Sequence, residues 1–446
     1  MAYIVDVLGT TIIDGTGRAP MKDGNLRIAD GRITAVWQHP GMPSGTNMPA
    51  DETVNAHGMT IMPGLIDAHC HISYGEGKAA EEVDVYGGAE WAAVRAVWNA
   101  QKVLQSGVTT ICDPGSTWNV AVTCRDAILS GMFPGPRVLA GGRHISADGG
   151  FADYFPSWLG MPISAEGVLC HNRDQMIQEV RSQVKNRVDL VKISGDSQAQ
   201  ERLSAAGPCF MEDEMTAIVH MSHQLARKVT IHARYAETVA MAARAGVDWL
   251  IHASYMRADD IGLVRDRQIP ICPTMTFTAN VAQHGHEVGV DPNYIDHKRR
   301  ELDALAEIHI KCIQAGVPFM MGSEAGFAIT PYGQWHTREL ELMVDILGMR
   351  PMDAIIAATA NNAKAFGWED QVGRLVPGLW ADFLVIDGDP LQDIRILSDR
   401  SRIRAVYQGG VLIDRSPSAE LPTRRRMAHE RGFVVSAGTL DRTPAH

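Results

Sequence analysis

The sequence predicts an α/β protein: a (β/α)8 barrel, the TIM-barrel architecture, with a small β-sandwich domain built from both chain ends. Three observations lead there. Short alternating strands broken by turn residues occupy both termini. Apolar strands alternate with amphipathic helices in between. Side chains able to bind metal recur where those inner strands end.

At the amino end, YIVDVLGTTIIDGTG, NLRIADGRITAVW and ETVNAHGM are short runs punctuated by Gly, Asp and Asn, the pattern of strands joined by tight turns. RLVPGLWADFLVIDGDP and IRAVYQGGVLI repeat that pattern near the carboxyl end. Residues 1–58 and 374–420 are therefore expected to form the sandwich, residues 59–373 the barrel and residues 421–446 a tail. The tail's Arg424, Arg425 and Arg426 suit a solvated surface or a subunit contact.

The barrel section can be followed unit by unit. Thr60, Ile61, Met62, Leu65 and Ile66 read as one buried parallel strand, because a strand covered on both faces is nearly continuously apolar. AEWAAVRAVWNAQKVLQSG reads as a helix stopped by Gly107, a glycine able to take the left-handed cap conformation. GVTTICDPG and PRVLAGG follow as strands. A helix over 173–185 leads into RVDLVKISG, and DEMTAIVHMSHQLARK leads into VTIHARY. A helix ending at Gly246 precedes VDWLIHASY, IPICPTM is the next strand, and a helix ending at Gly316 precedes VPFMMGSEAG. Strands thus fall near 60, 109, 137, 189, 229, 248, 269 and 317, and eight parallel βα units that close on themselves form the barrel.

Composition narrows the function classes. Of the 446 residues 45% are apolar, and the net charge is −11 with acids and bases well mixed. No basic patch suits nucleic acid, and no apolar stretch is long enough to span a membrane. The seven cysteines are scattered, odd in number and without a C-x-x-C pair, which argues against a disulfide framework. The amino end lacks a basic segment followed by an apolar one. A cytoplasmic enzyme acting on a small molecule is the expectation.

Chemistry in such barrels sits at the carboxyl ends of the strands. PGLIDAHCH places His69 and His71 there, two apart and so on one face of a strand. Taken alone, the pair fits two packed histidines as well as one metal site. The other strands add Lys192, His232, His252 and Glu324 at the same end, and that recurrence favours a metal. Burial disfavours the charged form of a lysine. A neutral Lys192 amine is able to add carbon dioxide and become an anionic ligand.

These motifs carry a resemblance. PGLIDAHCH, Lys192, His232, His252 and the closing ATANNAKAFG and GRLVPGLWADFLVIDGDPL resemble the amidohydrolase superfamily of metal-dependent barrel hydrolases over nearly the whole chain. The nearest branch holds imidazolonepropionase-like proteins and Xaa-Pro dipeptidases. The resemblance implies His69 and His71 on a first metal, His232 and His252 on a second, and carboxylated Lys192 between them. It also implies a homo-oligomer. Three departures stand out. Glu324 occupies a position usually held by aspartate, which leaves one or two metals open. Arg234, followed by Tyr235, stands where that branch often has histidine or tyrosine. GGFAD puts Phe151 in place of a histidine associated with a substrate carboxylate.

The expected reaction is hydrolysis of a polarised C–N bond of amide, urea, carbamate or lactam type. Zinc is the expected ion, and manganese or cobalt suit the same mixed nitrogen and oxygen shell. A metal-bound water with a pKa of about 7 is the expected nucleophile. Glu324 either relays its proton or serves as a ligand only. His144 is a candidate for polarising the carbonyl, or a packed histidine. The loop FADYFPSWLGMP, with Phe151 and Tyr154, suits an apolar or aromatic substrate, and phenylurea and thiocarbamate hydrolases form one such group. Arg234 either pairs with a substrate carboxylate, which would suit dipeptides or N-acyl amino acids, or serves a structural salt bridge. TFTANVAQHGHEVGVDPNY is a candidate lid whose His284 and His286 are expected at the surface. Two rivals remain at this stage: a metal-free scaffold, and a one-metal deaminase of the branches that lack the bridging lysine.

Overall fold

The computed structural model describes residues 2–41, 48–197 and 207–416. Arg424, Arg425, Arg426 and the rest of the expected tail lie outside them. The strands in chain order are β1 (Ile4–Ile12), β2 (Met21–Ala29), β3 (Arg32–Gln38), β4 (Glu52–Asn55), β5 (Thr60–Pro63), β6 (Leu65–Asp67), β7 (Val108–Asp113), β8 (Arg137–Ala140) and β9 (His144–Ser146). They continue with β10 (Gly167–Leu169), β11 (Leu190–Ser194), β12 (Lys228–Tyr235), β13 (Trp249–Tyr255), β14 (Ile271–Cys272), β15 (Phe383–Ile386), β16 (Ile403–Gln408) and β17 (Val411–Leu412).

The two chain ends meet in one mixed sheet, ordered β17-β16-β15-β5-β1-β2-β3 with β4 beside β1. Its alternating residues build a separate small core that includes Val7, Leu26, Ile28, Ile33, Ile61 and Phe383. Phe383 stacks on Tyr407 across the β15–β16 pair at 4.4 Å.

One expected strand divides in two. Thr60–Pro63 pairs with β1 and β15 in the end sheet, and only Leu65–Asp67 pairs with β7. Gly64 is the break: its N–H donates to Asp382, and a Cβ there would sit 2.3 Å from Thr109 Oγ1. An apolar run alone does not say which sheet covers it.

The remaining strands are parallel. β6, β7 and β8 form one ladder, and β10-β9-β11-β12-β13-β14 form another. A bridge from Gly141 to Leu190 links them, and Ile271 pairs with Phe319. The Ala68 N–H then donates to the Met321 carbonyl at 2.9 Å. The strand expected near 317 contributes isolated bridges, Phe319 to Ile271 and Ala325 to Cys70, rather than a ladder, since Pro318 lacks an N–H and the Met321 N–H turns to Ala357.

The helices between strands follow the expected pattern. Helix Ala89–Gln105 buries Ala92, Ala96, Ala100 and Val103, a stripe at helical spacing. Gly107, Gly246 and Gly316 have φ of 99°, 86° and 82°, the left-handed stops that glycine permits. The candidate lid is mostly helical: Met275–His284, then a short turn, then helix Pro292–Gln314 capped by Asp291. His286 is exposed and His284 partly so. No described helix is long and apolar enough to cross a membrane.

Candidate metal centre and substrate cavity

The parallel strands place the expected ligand residues together. His69 and His71 follow β6, while Lys192, His232 and His252 lie in β11, β12 and β13. Glu324 follows the Phe319 bridge. All six are buried. His69 and His71 face each other with Nε2 atoms 2.9 Å apart. The His71 Nδ1–H donates to the Gly115 carbonyl at 2.8 Å, and His69 Nδ1 lies 3.1 Å from the Thr274 hydroxyl. That hydroxyl donates to Cys272 O, so its oxygen accepts from His69. In that tautomer both imidazoles carry their proton on Nδ1 and point bare Nε2 lone pairs at one another. Lone pairs this close repel unless a cation sits between them, and an N–H bond on the far nitrogen is the usual support of a ligating histidine.

A Glu324 oxygen completes a group with these two nitrogens whose atoms all lie within 4.8 Å. His252 Nε2 is 3.9 Å from Glu324 Oε1. Lys192 Nζ, His252 Nε2 and Glu324 Oε2 are buried without a hydrogen-bond partner. Orphaned buried polar atoms are costly, and three beside one cluster fit an ion. A second described group, Asp67, Cys70 and His336, is internally satisfied: Asp67 accepts from the His69 and Ser323 N–H groups and from His336.

Electrostatics agree with ligation. Burial lowers the pKa of His69, His232 and His252 well below the ordinary value, and that of His71 to about 3. All four rings are thus neutral at neutral pH. Burial also brings the Lys192 amine down to about 8 and raises the Glu324 carboxyl to about 7. His252, Thr274 and Glu324 hold left-handed backbone, with φ of 74°, 56° and 55°, a strain that structures retain mainly at working sites.

The other expected residues divide. His144 is buried, with Nδ1 2.9 Å from the Ser194 hydroxyl and Nε2 3.4 Å from the Tyr74 hydroxyl. Phe151 stacks on His232 at 3.9 Å. Tyr154 lines a cavity of about 450 Å³ together with Glu166, Phe277, Tyr294 and Phe327. Arg234 is buried in a salt bridge to Glu301 at 2.7 Å, and its Nη1 donates to His232 Nε2. Tyr235 stacks on Tyr255 at 5.2 Å.

Several functional neighbours were not singled out in the sequence. Tyr74 stacks on His71 at 4.2 Å, and the Tyr74 and Tyr154 hydroxyls donate to the Glu166 carboxyl. Phe327, a wall of the cavity, stands 5.3 Å from Tyr74 and 6.2 Å from His71, so one cavity wall packs against the histidine cluster. Asp67 had a readable signal: it lies two before His69, on the same strand face. Tyr74, Glu166 and Glu301 had none, since loops and a distant helix bring them in.

The chain is similar along most of its length to known proteins. Ochratoxinase of Aspergillus niger is 26% identical over 442 residues, covering 92% of this chain and 87% of that protein. A solved Xaa-Pro dipeptidase with bound methionine in its active site superposes with a TM-score of 0.81 at 24% identity, covering 92% of this chain and all (100%) of that one. A solved molinate hydrolase gives 0.78 at 23% identity, covering 96% and 98%. The amidohydrolase family model matches residues 60–413, and the chain accordingly belongs to the amidohydrolase family, enzymes that hydrolyse carbon–nitrogen bonds.

Proposed function

We propose that this enzyme cleaves the amide, urea or carbamate C–N bond of a small neutral, aromatic molecule at a zinc centre. The parallel ladders and their links support a closed (β/α)8 barrel whose first strand is Leu65–Asp67, beside a small β domain from both chain ends that also takes Thr60–Pro63. The observation that carries the reading is the opposed pair of Nε2 lone pairs on His69 and His71 beside Glu324.

Those three residues would hold the ion, with Lys192, as its carbamate, and His252 on the same cluster. A divalent ion held there supplies a water of lowered pKa and a Lewis acid for the carbonyl. Glu324 Oε2 has no other partner and accepts the water's proton, then returns it to the departing nitrogen. His144, with Nδ1 2.9 Å from the Ser194 hydroxyl, would donate to the substrate carbonyl in the tautomer that carries its proton on Nε2.

The cavity sets the substrate. Tyr154, Phe277, Tyr294 and Phe327 make an aromatic box, where apolar contacts decide affinity and a few polar groups fix orientation. Removing one wall residue, as in Phe277→Ala, is expected to raise KM by about 10-fold or more with kcat little changed. Steady-state kinetics on the best substrate checks this.

The second reading is a dipeptide or N-acyl amino acid, favoured by Arg234 beside the cluster. Against it, Arg234 already spends donors on Glu301 and His232. A hydrolysis screen of the zinc-loaded protein separates the two. One panel holds N-acyl amino acids and Xaa-Pro dipeptides, the other neutral aryl ureas, anilides and carbamates. Turnover confined to the first panel overturns the neutral-substrate reading. The seven free cysteines support a reducing, cytoplasmic setting.

A further inference from the structure

We propose that Arg234 takes the place of a second metal ion, so that this centre is mononuclear. The inference rests on the metal reading above and goes beyond it, since the family resemblance implies His232 and His252 on a second ion.

The argument begins with the two nitrogens of His232. A neutral imidazole has one lone pair and one N–H, and a guanidinium only donates. Arg234 Nη1 lies 2.7 Å from His232 Nε2. The Nε2 lone pair therefore accepts from Arg234, and the ring proton sits on Nδ1. Neither nitrogen then has a lone pair for a metal. The alternative partner for Nε2, Asp196 Oδ2, is 3.5 Å away and accepts the Arg234 backbone N–H at 2.6 Å.

Nothing nearby lets this arrangement relax easily. Phe151 lies parallel over the His232 ring, within 13°, which hinders rotation of the imidazole. Arg234 is held from behind. Its Nε donates to Glu301 Oε1 at 2.7 Å, Ser254 donates to the same oxygen at 2.9 Å, and Lys298 donates to Oε2 at 2.8 Å. Withdrawing the guanidinium would strand a buried Glu301 with one cation instead of two.

Charge points the same way. The guanidinium is a fixed cation in direct contact with a would-be ligand, and a dication placed there would meet it at short range. The contrast with His69 and His71 is chemical. Their second nitrogens face a hydroxyl and a carbonyl, which accept. The second nitrogen of His232 faces a group that cannot. No described group joins His232 and His252 to a carboxylate as His69 and His71 are joined to Glu324.

The test is metal stoichiometry, read without substrate. The full-length protein is loaded with zinc, freed of excess by gel filtration and analysed by mass spectrometry of the metal against protein. One zinc per chain is expected. Arg234→Gln offers a carbonyl that accepts from Nε2–H, frees Nδ1 and is expected to raise the count to two. Arg234→Ala, which only deletes the donor, is expected to do the same, and Arg234→Lys, still a donor only, to stay at one. Two zinc ions per wild-type chain overturn the proposal whatever the variants do. A count that stays at one in folded Gln and Ala variants overturns the role of Arg234. A wild-type count of zero overturns the metal reading and this inference together.

Discussion

Glu324→Gln is expected to lower kcat by about 10²- to 10⁴-fold, the usual contribution of a positioned general acid–base group. The substitution keeps the size of the side chain and one oxygen able to face the ion, but removes the basic oxygen. Glu324 Oε2 is buried and has no protein partner, so its hydrogen-bonding capacity is reserved for something outside the protein's own network. Burial raises the carboxyl to about 7, held from rising further by Arg234, Lys298 and Lys192. With an ion bound the carboxylate is the basic form, ready to take a proton and later return it. The amide that replaces it can do neither. Zinc content of the variant must be measured alongside kcat. Loss of turnover with zinc retained assigns the proton transfer to Glu324, and full activity removes it from the mechanism.

The sequence revealed the site better than it revealed the sheet that carries it. His69, His71, Lys192, His232, His252 and Glu324 could be picked out because each lies in or just after one of the parallel segments, with His69 and His71 sharing one. Thr60–Pro63 was misplaced because an apolar run reports burial and not its neighbour. The strand near 317 was overestimated because Pro318, readable in the sequence, was not weighed, and because the pull of Ala357 on the Met321 N–H is a tertiary fact. The role of Arg234 was open in the sequence between a substrate carboxylate and a structural salt bridge. Glu301 decides for the salt bridge from 67 positions away. The aromatic loop gave Phe151 and Tyr154, yet Phe151 covers a histidine while Phe277 and Phe327 join Tyr154 around the cavity. Residue type announced an aromatic site, and packing alone assigned its members.

Removing the ion should have the largest effect of all. Chelation is expected to lower turnover by at least about 10³-fold, since the activated water and the Lewis acid each supply several kcal/mol. Recovery should need more than zinc. Lys192 is fully buried and its Nζ has no hydrogen-bond partner. A charged ammonium is costly there, and burial brings the amine to about 8. In the proposed centre its neutral form would attack the carbon of dissolved carbon dioxide: an N–C bond would form, one C–O π pair would move to oxygen, and the nitrogen would give its proton to solvent. The product is an anion aimed at the histidine cluster, a better neighbour for a dication than an ammonium. Reactivation of the chelated protein is therefore expected to be fast with zinc plus bicarbonate and slow with zinc alone. In Lys192→Met the two rates should be equal and the recovered activity low. The pH dependence has a definite sign. A carboxyl raised to about 7 and an amine lowered to about 8 both hold protons at pH 6, and metal binding must expel them. Zinc affinity should rise from pH 6 to pH 8, measured by competition with a chromophoric chelator. An affinity that is flat across that range, together with bicarbonate-independent recovery, would leave Lys192 a structural lysine and the ion bound by the histidines with no help from it.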